Sequence, residues 1–111
     1  QLHLLYPDIV KPDLIYRSLD YLFGCHPFHN LSFVSGVGAQ PKKVAYGNNR
    51  ADYSFIPGGV VPGIRIVKPD FPENRDDCPF LWSENEYVID LAASYIYLVN
   101  AADHLLNNSG K

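Results

Sequence analysis

Methionine is absent from the 111 residues, which begin at Gln1. The chain is therefore expected to be a processed or excised piece of a longer protein. Clustered basic charge is also missing: no Lys/Arg run exceeds Lys42-Lys43, and the net charge of -3 with a pI near 5.7 argues against a nucleic-acid partner. No stretch approaches the roughly 18 uninterrupted apolar residues that mark a membrane span. Nor does the N-terminus show the basic start, apolar core and small-residue cleavage site of a secretory signal. Cysteine is scarce. Cys25 and Cys78 form neither a CxxC nor a CxxCH motif, so no redox pair or haem attachment is indicated, and buried free thiols are the ordinary expectation. A disulfide between them remains open, because sequence alone does not give the Cα separation a disulfide requires. Internal repeats and low-complexity tracts are lacking too.

What the chain does contain is apolar material. With 47% hydrophobic residues it has enough to build a core. Pro12, the apolar positions Ile15, Leu19, Leu22 and Phe23, and Gly24 as a stop predict a helix over about 12–23. A second helix is expected over about 84–106, where Ser83-Glu84-Asn85-Glu86 reads as a capping box. Its apolar residues cover more than half the circumference, so it needs neighbours on several sides.

Between the helices, the expected loop 24–83 holds seven of the nine prolines and most of the glycines. A connection that long implies a functional segment or one that leans on other structure. Short extended pieces are expected at Ser32–Ser35 and Gly63–Val67, neither within a substantial sheet. The fold class expected is all-α with long irregular loops, a C-terminal part of a larger helical body.

Chemistry concentrates between Asp76 and Asp90. Glycoside hydrolysis needs a carboxylic acid that protonates the leaving oxygen and a second carboxylate that activates water or attacks the sugar. Glu86 has Asp76, Asp77, Glu84 and Asp90 near it in sequence, and Trp82 offers an apolar face for a sugar ring. On spacing alone, the capping role competes with catalysis. The dipole at a helix N-terminus favours the ionised form of a carboxyl there, and an acid in that position has to overcome it. Cys25, His26 and His29 suggest a metal cluster only weakly, since two adjacent ligands lack a fourth partner. Ser35-Gly36-Val37-Gly38 lacks the strand-to-helix setting and the His of a serine nucleophile.

A wider pattern adds to this. Leu19-Asp20-Tyr21-Leu22-Phe23-Gly24, then Ser32-Phe33-Val34-Ser35-Gly36-Val37-Gly38, Arg50, Asp77, Trp82 and Asn85-Glu86-Tyr87-Val88-Ile89-Asp90 follow in order. The series, over about residues 16–106, resembles the C-terminal region of glycoside hydrolase family 9, the cellulases and related β-glucanases. In that family a His-His-Arg motif precedes a Tyr-x-Asp-x4-Tyr-x2-Asn-Glu segment whose Glu is the general acid. Asp77-x4-Trp82-x3-Glu86 fits the second motif. Asn48-Asn49-Arg50 stands at the first, without its histidines; Arg75 replaces an aromatic and Ala92 an Asn.

The resemblance implies an (α/α)6 six-hairpin toroid and an inverting mechanism with Glu86 as proton donor. Arg50, Asn49, Trp82 and Tyr87 are then the sugar contacts, with Asp77 and Asn85 in support. It implies no metal and no cofactor. The family's water-activating Asp-x-x-Asp motif has no match here, so the base is expected from the remainder of the catalytic domain, and the isolated chain is expected to be inactive. A β-linked glycan substrate implies a secreted, periplasmic or cell-surface setting. The alternative is a non-catalytic carbohydrate-binding or interaction module using Trp82, Tyr87, Tyr53 and Arg50. A related scaffold that has lost activity is a third reading. Exposed apolar helix faces predict self-association of the isolated chain.

Overall fold

The computed structural model describes residues 1–26, 30–42, 45–47, 55–63 and 85–108. It begins with α1 (Leu2–Leu5), a single turn that the sequence pattern does not announce. Helix α2 (Asp13–Leu22) follows Pro12, whose carbonyl accepts the Ile15 N–H at 2.8 Å. The apolar stripe of α2 behaves as its spacing demands: Leu19 is buried and Ile15, Leu22 and Phe23 are half-buried, whereas Asp13, Arg17 and Asp20 face solvent. Gly24 ends the helix in a Schellman motif. Its φ is +101°, the Cys25 N–H donates to Asp20 O at 2.8 Å, and the Gly24 N–H donates to Tyr21 O at 3.2 Å.

Strand β1 (Leu31–Ser35) is buried at every position and forms the centre of the structure. Its two serines are buried with their hydroxyls satisfied. Ser32 Oγ donates to Leu22 O at 3.2 Å and accepts the Val34 N–H at 3.0 Å, fastening the strand to the end of α2. One edge of β1 pairs in parallel with β2 (Gln40–Lys42), Leu31 opposite Gln40 and Ser35 opposite Lys42. Parallel neighbours normally need a crossover of a dozen residues or more. Here residues 36–39 suffice, because Gly36 (φ +75°) and Gly38 (φ +104°) fold the chain sharply back.

The other edge of β1 meets residues 58–61. Val34 and Val60 form an antiparallel bridge, and the Val61 N–H donates to Phe33 O at 3.0 Å. Phe33, Ala45 and Val61 make the buried cluster, with Leu22 and Tyr87 packed against it. A second parallel pair joins β3 (Tyr46–Gly47) to β4 (Glu86–Tyr87). The chain then enters α3 (Ile89–Asn108), which packs on α2, with Phe23 and Tyr95 meeting edge to face at 6.3 Å. Burial raises the Tyr95 pKa above its ordinary value.

Several expectations are corrected. The fold is not an all-α part of a six-hairpin toroid: among the described residues three helices accompany two small parallel sheets. Among the described residues, the expected loop 24–83 contains strands β1, β2 and β3, and the extended piece at Ser32–Ser35 is the main part of β1. Of the expected piece Gly63–Val67, only Gly63 lies within the described residues. Helix α3 begins at Ile89 rather than near residue 84 and continues to Asn108. Among its residues only Ala102 is buried, while Ile89, Ile96, Tyr97 and Leu106 are exposed. Cys25 is exposed rather than buried, and Cys78 lies outside the described residues. Among the described residues no helix is long and apolar enough to cross a membrane.

The cap at Gly24 gives a direct test of this architecture. A Cβ there would collide with Asn30 O, on a backbone already left-handed. Gly24→Ala is expected to lower stability by more than about 1 kcal/mol, read as a lower urea midpoint at unchanged slope.

Candidate functional site

Glu86 and Tyr87 occupy β4, and their setting follows from local chemistry. Tyr87-Val88-Ile89 is an aromatic and β-branched run that favours extended backbone, so pairing with β3 continues through residue 87 before the helix starts. Tyr46 stands opposite Glu86 and Gly47 opposite Tyr87. Glu86 therefore lies three positions ahead of Ile89, outside α3. The capping-box reading is corrected: a residue in β4 is not the N3 residue of the helix.

Asn85, expected to support the acid, is buried immediately before Glu86, which is itself half-buried. Among the described residues the Glu86 carboxyl makes no ion pair. Tyr87, expected as a sugar contact, has its hydroxyl engaged inside the protein. It lies 2.6 Å from Ser35 Oγ and accepts the Ile56 backbone N–H at 3.1 Å. The ring also presses on Gly59, where an added Cβ would come within 2.5 Å of Cε1.

The remaining candidates, Asn49, Arg50, Asp77 and Trp82, lie outside the described residues. The structure brings Glu86 beside Tyr46-Gly47, the dipeptide that precedes Asn48-Asn49-Arg50 in sequence. Ile56 and Gly59 are positions sequence reasoning missed, and Ser35, weighed there only as a nucleophile, was missed as the partner of Tyr87. Ser35 lies 52 residues from Tyr87, and a contact at that separation leaves no local pattern.

His26, from the weak metal cluster, belongs to the core. Its ring stacks on Phe33 at 5.2 Å, and Nε2–H donates to Leu31 O at 2.8 Å. His29 lies outside the described residues. Among the described residues no three His, Cys, Asp or Glu side chains converge as metal ligands would.

Comparison with known protein families, curated proteins and solved structures finds no match for this chain.

The contact between Gly59 and Tyr87 is close enough to test by a single methyl group. Gly59→Ala would place that methyl 2.5 Å from the Tyr87 ring and 2.9 Å from Ile56 O. It is expected to destabilise the protein by about 1–3 kcal/mol, measured by chemical denaturation with tyrosine fluorescence as the signal.

Proposed function

We propose that this chain carries the proton-donating segment of an inverting glycoside hydrolase, similar to family 9, that cleaves a β-linked glucan or a related oligosaccharide. Glu86 is the general acid. The observation that supports this reading is the place of Glu86 in β4 instead of at a helix N-terminus. It has no capping duty, it is half-buried, and its strand pairs with the dipeptide leading into Asn48-Asn49-Arg50. A proton donor needs a fixed, partly desolvated carboxyl beside the segments that hold the sugar.

In this chemistry the acid gives its proton to the glycosidic oxygen as the bond to the anomeric carbon breaks. Water attacks that carbon from the opposite face, and a second carboxylate takes the water's proton, so the configuration inverts. The two carboxyl groups stand roughly 6.5–9.5 Å apart to admit the water. On this reading the second carboxylate comes from another part of the catalytic domain, and these 111 residues alone hydrolyse nothing.

The other candidates divide the work of holding the sugar. The rigid donor fork of Arg50 suits a pair of hydroxyls. Asn49 stands at a position where the family has a histidine, and Trp82 offers a flat apolar surface to a pyranose ring. Asp77 orients its own segment, and buried Asn85 anchors the entry to β4. The mechanism calls for no cofactor. A polymeric glucan places the protein outside the cell, in the periplasm or at the cell surface.

Glu86→Gln keeps the shape of the side chain and removes its proton. In the whole protein bearing this sequence, turnover of a soluble β-glucan is expected to fall about 10²–10⁴-fold, the usual contribution of a positioned acid. Sugar affinity, read by calorimetry, is expected to stay within a few-fold. Undiminished turnover removes Glu86 from the mechanism.

A further inference from the structure

Strand β4 is two residues long, and β3, its partner, is equally short. So small a ladder is marginal by itself. Besides the burial of Asn85 at its entry, the side chain of Tyr87 ties β4 to the rest of the structure. Its hydroxyl bridges Ser35, at the end of β1, and the Ile56 N–H on the segment along the other edge of β1. Its partner Ser35 is fully buried and fixed by both of its backbone groups to one neighbouring segment: its N–H donates to Gly59 O at 2.9 Å and its carbonyl accepts the Gly58 N–H at 2.8 Å. Successive side chains along a strand leave on opposite faces. Anchoring Tyr87 toward the core therefore determines where the neighbouring Glu86 leaves the strand.

We propose that Tyr87 is the positioning residue of the acid: its hydroxyl, held by Ser35 and the Ile56 N–H, sets where β4 presents the Glu86 carboxyl. The inference rests on the reading of Glu86 as proton donor. Proton transfer in the transition state is sensitive to distance, and a misplacement of about 1 Å costs up to roughly a hundredfold in rate.

The test is steady-state kinetics on a soluble β-glucan, using the whole protein with Tyr87→Phe, Ser35→Ala and the double substitution, beside Glu86→Gln. Tyr87→Phe keeps the ring on Gly59 and loses only the hydroxyl. It is expected to lower kcat about tenfold, within the range a small displacement produces, while KM changes less than twofold. Ser35→Ala, which leaves the bond from the Ile56 N–H, is expected to lower kcat in the same direction but by less, and the double variant to be no worse than Tyr87→Phe, which already breaks the Ser35 bond. A purely structural role would instead show as lost folded protein in thermal melts, with the remaining molecules turning over at the normal rate. That result, or full kcat in Tyr87→Phe, overturns the inference and leaves the acid assignment standing. Full turnover in Glu86→Gln overturns the assignment, and the inference with it.

Discussion

The hydrogen bond between Ser35 and Tyr87 is the constraint on which the arrangement depends. It spans 52 residues and joins the buried strand β1 to the short strand that precedes the last helix. Much follows from that one linkage. The Tyr87 ring closes over Gly59 and packs against the cluster of Phe33, Ala45 and Val61. Its oxygen accepts the Ile56 N–H and so joins the segment on one edge of β1 to the strand bearing Glu86. Ser35 is buried and its hydroxyl has the Tyr87 phenol as a partner, so this half-buried linkage leaves neither group unsatisfied.

The parts of the fold that could be read from sequence are those with local causes. Pro12 and Gly24 bound α2 because one presets helical φ and the other accepts a left-handed turn, and neither depends on distant contacts. The strands were harder. Leu31-Ser32-Phe33-Val34-Ser35 is buried on both faces, so it shows neither clean alternation nor an unbroken apolar run, and its serines are kept inside by bonds to α2, Val34 and Tyr87. Strands β3 and β4 are too short to carry any period. Their surroundings therefore looked like loop, and the chain looked all-helical.

The start of α3 was misplaced for a related reason. Ser83-Glu84-Asn85-Glu86 has the letters of a capping box, but the extended preference of Tyr87-Val88-Ile89, the β3 ladder and the Tyr87 anchor outweigh a local motif worth about 0.5–2 kcal/mol. The same competition moved Glu86 from a helix cap to a strand. Glu86, Asn85 and Tyr87 were legible as candidates through their motif, whereas Ile56 and Gly59, and the part Ser35 plays as partner of Tyr87, became visible only once the chain had folded. Helix α3 shows the opposite pattern: its broad apolar stripe was evident, yet Ile89, Ile96, Tyr97 and Leu106 remain exposed. Surface of that kind favours association.

The proposed transfer of a proton from Glu86 to the departing oxygen makes turnover depend on the leaving group. The measurement compares Glu86→Ala with the unaltered protein on two aryl β-glycosides, one whose phenol departs readily without protonation and one whose phenol does not. With Glu86 as proton donor, the variant retains most activity on the first and loses it on the second, since only the second needs the proton. Equal losses on both substrates, or none on either, would contradict it.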